Sequence, residues 1–177
     1  KILNEKDNPI KAWVKQGGKL IVMENAAAQI ANADWGVKLK KEETKEEEKV
    51  NVADLVRFEN RERSSISNNI PGAVYKVNMD NSHPLAFGIS NDYFSLKMNS
   101  IVFDLNKEVW NVGVINQQNP VAGFVGNNVK RKINNGALIV AQDFGDGKVV
   151  YFADDPLFRN FWEAGKLMFA NAIFFVG

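Results

Sequence analysis

The sequence predicts a three-layer α/β sandwich around a mainly parallel sheet, with added antiparallel strands. Three observations carry that reading: an α–β–α order with short joints between Pro9 and Ala31, a β-rich stretch from Ala73 to Ile115, and a glycine-bounded hairpin followed by an apolar closing helix.

Asp7-Asn8-Pro9 offers a cap with proline near the first helical position, and Ile10, Trp13 and Val14 recur at helical spacing until Gly17-Gly18 ends the run. Leu20-Ile21-Val22-Met23 is continuously apolar, the pattern of a strand buried on both faces of a parallel sheet. Ala26 to Ala31 then reads as a helix. The run 38–49 holds five Lys and five Glu with Leu39 as its one large apolar residue, so it reads as a solvated surface insertion, with a charged docking segment as the alternative.

From Ala73 the character changes. Ala73–Met79, Tyr93–Lys97, Ile101–Leu105 and Val109–Ile115 are short strand-like runs separated by polar turns. Ala137–Ala141 and Lys148–Ala153 flank Gly145-Asp146-Gly147, a hairpin signal because such a turn needs positive φ. The segment from Leu157 to Val176 carries Phe161, Met168, Phe169 and Ile173 with few polar positions, and is expected to be one helix packed on a sheet or a neighbour.

Composition narrows the function classes. The 177 residues suit a single domain, 1–177, and 45% hydrophobic content can furnish its core. Lys plus Arg number 22 and Asp plus Glu 21, so a formal net charge of +1 creates no global field toward nucleic acid or anionic lipid. No apolar run approaches the roughly 20 residues of a membrane span. The chain has no cysteine, which removes disulfides, thiolate metal sites and cysteine nucleophiles together. It opens on Lys1, near the approach to a helix, so the expectation is an N-terminally truncated piece of a longer protein.

Two segments carry a family resemblance. Gly17-Gly18-Lys19-Leu20-Ile21-Val22-Met23-Glu24-Asn25-Ala26-Ala27 resembles the strand-to-helix elbow of class I glutamine amidotransferase-like domains, and Lys148 to Pro156 resembles their later strand. The resemblance implies a flavodoxin-like three-layer sandwich. In that family the elbow presents a cysteine and the later strand ends in His-Pro-Glu. Here Glu24, Asp155 and Leu157 stand at those places, so neither an acyl-forming nucleophile nor its activating base is present. Further segments, Asp80-Asn81-Ser82-His83-Pro84-Leu85-Ala86-Phe87-Gly88, Asp155-Pro156-Leu157-Phe158-Arg159 and Asn171-Ala172-Ile173-Phe174-Phe175, resemble the C-terminal amidotransferase-like region of Bacteroidetes-type zinc carboxypeptidases. That resemblance implies a secreted or periplasmic parent with an upstream peptidase domain as partner. The zinc would be held there by a His-x-x-Glu pair and a second histidine. This chain has one histidine and no such pair, so the expectation is no cofactor within it.

Candidate sites follow from the strand ends. Glu24 and Asn25 lie where an open α/β sheet places ligands, beyond a strand's carboxyl end at a helix start. The alternative is that Asn25 caps the helix and Glu24 complements its positive end. Asp154, Asp155 and Arg159 form a second cluster that could hold a polar ligand, although Asp155 before Pro156 also reads as an N-cap. His83 in Ser-His-Pro could be a base or could hold its loop by hydrogen bonding. Three functions are therefore expected in competition. The first is a non-catalytic accessory domain of a zinc carboxypeptidase-like peptidase, the second a small-molecule or peptide-binding module using a cleft near Glu24 and Asp154, and the third a hydrolase acting through those carboxylates.

Overall fold

A computed structural model describes residues 8–33, 35–41 and 57–177. Asn8 opens helix α1 (Pro9–Lys15) by accepting the Ile10 and Lys11 amides at 2.9 and 3.3 Å, as the Asn-Pro pair predicts. Strand β1 (Lys19–Met23) runs directly into α2 (Glu24–Asn32), and a short helix α3 (Arg61–Ser67) precedes the strands. These are β2 (Gly72–Met79), β3 (Asp92–Lys97), β4 (Trp110–Ile115) and β5 (Ala122–Phe124). Helix α4 (Asn127–Ile133), the hairpin β6 (Gly136–Phe144) and β7 (Gly147–Phe152), and α5 (Glu163–Phe174) complete the order. No helix among the described residues is long and apolar enough to cross a membrane.

The strands form one sheet in the order β1-β7-β6-β4-β2-β3. The short β5 pairs with the first residues of β2, and β4 with its last two. Only β1 and β7 run parallel, with Met23 opposite Phe152; every other pairing is antiparallel. The sheet curls into a half-barrel and few helices cover it. This corrects the expected flavodoxin-like, mainly parallel three-layer sandwich. Parallel neighbours need crossover connections of a dozen residues or more, usually helical. The two-residue turn after β6 is too short for that, so β6 returns as β7 in antiparallel pairing, and the connection after β2 holds only a single 3-10 turn and brings β3 back antiparallel beside it. The apolar run of β1, read as the centre of a parallel sheet, is instead the outermost strand of the order and mostly half-buried.

Two further expectations change in detail. Of Ile101–Leu105, only Phe103 pairs, through single bridges to Leu39 and Ala137. The closing helix begins at Glu163 rather than Leu157, because Arg159 and Asn160 take left-handed φ angles of 48° and 57° and interrupt the run. Its buried face is Gly165, Met168, Asn171 and Ala172, and a Cβ on Gly165 would lie 2.1 Å from the Pro156 carbonyl oxygen, so only glycine permits this approach. Of the charged run 38–49, residues 42–49 lie outside the described residues. Within the described part, the Lys40 ammonium donates to the Asn134 and Asn135 carbonyls.

The curl is locked by a polar contact. Along β3 the inward positions are Tyr93, Ser95 and Lys97, while Phe94 points out and is 44% exposed. Lys97 is wholly buried: its ammonium donates to Asp154 Oδ1 at 2.9 Å and to the Ile101 carbonyl at 2.7 Å. Ser95 Oγ donates to the other Asp154 oxygen at 2.7 Å. Asp154 follows β7, four strand spacings from β3 in the sheet order. A flat sheet would hold them roughly 19 Å apart at about 4.8 Å per strand, so these contacts exist only because β3 folds back over β6 and β7.

Removing one partner of a buried pair leaves an uncompensated charge. Lys97→Met is therefore expected to cost about 3–5 kcal/mol. The double variant Lys97→Met with Asp154→Leu should recover much of that loss, and a double-mutant cycle of urea unfolding free energies tests the coupling.

Candidate functional site

The strand-end residues singled out in the sequence divide on inspection. Glu24 sits at the β1–α2 elbow with a left-handed φ of 48°, directly after extended Met23. A β-strand that turns at once into a helix needs an abrupt backbone reversal, and a non-glycine residue there stores strain, as in the elbows that present nucleophiles in α/β enzymes. The Glu24 carboxylate is exposed in the first turn of α2, and its charge favours the ammonium form of Lys97. Asn25 is also exposed and does not cap; the helix begins one residue earlier, with Met23 at the N-cap.

Asp154 shares the strand end with Glu24 but faces inward, committed to Lys97 and Ser95. Burial pushes its carboxyl up and the Lys97 ammonium down, and their mutual attraction opposes both shifts. The space lined by Tyr93, Ser95, Phe152, Asp154 and Pro156 is about 10 Å³, room for one water at most, since a single water needs about 10–15 Å³ of such space. Asp155 is half-buried, and its Oδ1 accepts the Leu157 amide at 2.8 Å, the local turn expected of an aspartate before proline. Arg159 is exposed, stacks on the Phe158 ring at 5.2 Å and makes no ion pair with Asp154 or Asp155. The structure thus brings Glu24 and Asp154 to one end of the β1–β7 pair, one in solvent and one in the core, and leaves Arg159 apart. Among the described residues no three carboxylate or imidazole side chains converge as metal ligands would.

A larger concavity lies beside Lys148, at the amino-terminal end of β7. Two lobes of about 400 and 450 Å³ meet over Ser82, His83, Pro84 and Phe175. His83 caps the 3-10 turn Pro84–Ala86, its Nδ1 accepting the Leu85 amide at 3.1 Å. In the neutral ring this leaves the proton on Nε2. Burial lowers the His83 pKa, with Lys148 acting in the same direction and Asp80 and Asp143 opposing. The His83 ring lies 6.0 Å from that of Trp110, which is 55% exposed. Phe87 and Phe175 meet edge to face at 5.6 Å and form the apolar lobe. Beneath them, Asn171 Nδ2 donates to the Leu85 and Phe87 carbonyls at 3.1 and 2.8 Å, fixing α5 to the turn. On the far wall Lys148 pairs with Asp143 at 2.5 Å. Behind it, Gln142 donates from Nε2 to the Trp35 carbonyl and accepts the Tyr151 hydroxyl at Oε1.

Of this groove, the sequence marked His83 alone as a candidate site residue, although Phe87 and Phe175 lie in segments that carry the family resemblance. Trp110, Phe87 and Phe175 come from separate segments, and the one available signal was three large aromatic residues on elements with incomplete apolar periodicity. Comparison with protein-family models, curated proteins and solved structures finds no match.

Two measurements test these geometries. In an ordinary helix Ala is more stable than Gly by about 0.8–1 kcal/mol. At position 24 the order should invert, Glu24→Gly exceeding Glu24→Ala by about 1 kcal/mol in unfolding free energy, because only glycine enters the left-handed region freely. For His83 the folded pKa lies below the ordinary value, so the unfolded chain binds the proton first. Stability is then complete above about pH 6.5 and falls as pH drops through the folded value. His83→Asn keeps the capping acceptor and removes the titration, so urea midpoints compared between about pH 7.5 and about pH 5 should fall less for the variant than for the parent chain.

Proposed function

We propose that this chain is a non-catalytic accessory domain that works by binding or support within a larger, secreted peptidase of the zinc carboxypeptidase type. The observation that carries the reading is the commitment of Asp154: the most deeply placed carboxylate at the strand ends is consumed by Lys97 and Ser95, with no room beside it for a substrate. Glu24 remains exposed at the elbow, yet acyl transfer needs a nucleophile paired with a base, and the sequence supplies neither a cysteine nor a histidine at that elbow. The lone His83 belongs to the groove beside Lys148 and holds a turn through Nδ1. Peptidase zinc would be held by the upstream domain of such a parent.

A second reading, a peptide or small-molecule binding module, is favoured by the groove at His83, whose lobes fall within the roughly 300–1,000 Å³ range of ligand sites. The two readings are compatible, since an accessory domain can act by holding substrate.

The expected outcome of assaying the chain against glutamine and against unblocked peptides is no ammonia and no amino-acid release above buffer. A rate that Glu24→Gln abolishes would overturn the non-catalytic reading.

A further inference from the structure

We propose that the groove over His83 binds a peptide segment carrying a basic side chain next to an aromatic or aliphatic one. The inference goes beyond the accessory reading, because it assigns a ligand to a site at the Lys148 end of β7, away from the Glu24 elbow.

The basic side chain is matched by the lobe that holds Trp110, His83 and Asp80. The Asp80 amide donates to the Val112 carbonyl at 2.8 Å, which sets Asp80 beside β4 two residues from Trp110. One Asp80 oxygen accepts both the Ser82 amide, at 3.0 Å, and the Ser82 hydroxyl, at 2.6 Å. These bonds hold its carboxyl below the usual range, so it is ionised at neutral pH, and its second oxygen is left for a ligand. Asp80 makes no ion pair with a described residue, whereas the other lining carboxylate, Asp143, is answered by Lys148. Among its side chains the lobe therefore carries one carboxylate without an ion-pair partner, in the same lining as the exposed Trp110 indole. A cation over a tryptophan ring gains from the ring quadrupole and gains more with a carboxylate alongside.

The neighbouring lobe has the opposite character. Phe87 and Phe175, 65% and 54% exposed, and Pro84 make an apolar wall without a charged side chain. The two lobes share His83 and Pro84, so a ligand filling both must be extended and bear its cation and its apolar group on adjacent units. A peptide has that form, and the His83 Nε2–H between the lobes is placed to donate to a backbone carbonyl. A neutral sugar would leave the Asp80 charge unanswered, and an anion would be repelled by it.

Calorimetric titration of the full 177-residue chain with acetyl-Phe-Lys-amide, acetyl-Phe-Gln-amide and acetyl-Phe-Glu-amide tests the assignment. The lysine peptide should bind saturably, about fivefold to tenfold tighter than the glutamine peptide, with the glutamate peptide weakest. Asp80→Asn preserves an acceptor for Ser82 and should bring the lysine peptide to the level of the glutamine peptide, while Trp110→Ala should weaken the lysine peptide by about tenfold. Unchanged thermal midpoints establish that both variants are folded. Absence of saturable binding by all three peptides, equal affinities across the series, or a lysine preference that survives in folded Asp80→Asn would each overturn the proposal. Binding without detectable hydrolysis leaves the accessory reading intact, whereas hydrolysis of a bound peptide would contradict that reading alone.

Discussion

A lysine that never meets solvent organises this fold. Lys97 would be costly to bury alone, since transferring an unpaired ammonium from water is among the largest penalties in folding. Asp154 offsets that cost from a position 57 residues further along the chain, and Ser95 fills the second carboxylate oxygen. Satisfying all three groups requires β3 to lie over β6 and β7. The curl, the half-barrel and the inward turn of the strand-end aspartate are therefore consequences of one arrangement. A second tie runs alongside, because the Trp162 indole donates to the Phe94 carbonyl at 2.6 Å and fixes the entry to α5 against the same strand.

The same constraint separates the two ends of the sheet. At the end marked by Met23 and Phe152, the ion pair fills the interior and leaves Glu24 and Asn25 in solvent, on a strained elbow. At the end marked by Lys148, the turn after β2 and the carboxyl end of α5 stand apart over the β6–β7 hairpin and leave an aromatic groove. Rigid elements support that groove. Asn171 bonds two carbonyls of the turn, and Gln142 bridges the Trp35 carbonyl and the Tyr151 hydroxyl.

Local features were legible in the sequence where a short-range rule dominates. Asn8 and Pro9 mark the start of α1, Gly145 takes φ 65° at the hairpin, and the alternation along β2 buries Ala73, Tyr75, Val77 and Met79. What was not legible depends on partners far along the chain. In β3 the polar–apolar alternation points Phe94 and Leu96 to the core by ordinary binary logic, yet Tyr93, Ser95 and Lys97 face inward because Asp154 waits there. The apolar run of β1 matched a buried parallel strand, but periodicity does not report a strand's place in the sheet order. In the sequence Asp154 reads as part of a ligand-holding cluster with Asp155 and Arg159, because its lysine lies on a different strand, brought over by the curl. The groove was hidden because its aromatic walls come from the β2–β3 connection, β4 and the end of α5, with no shared motif.

The state of the Lys97 side chain tests the account most directly. Nitrogen-correlated NMR of lysine ammonium groups at neutral pH should show one resonance with slow proton exchange, assigned to Lys97 and abolished by Asp154→Asn. A Lys97 ammonium that exchanges as fast as the exposed lysines, or one indifferent to Asp154, would contradict it.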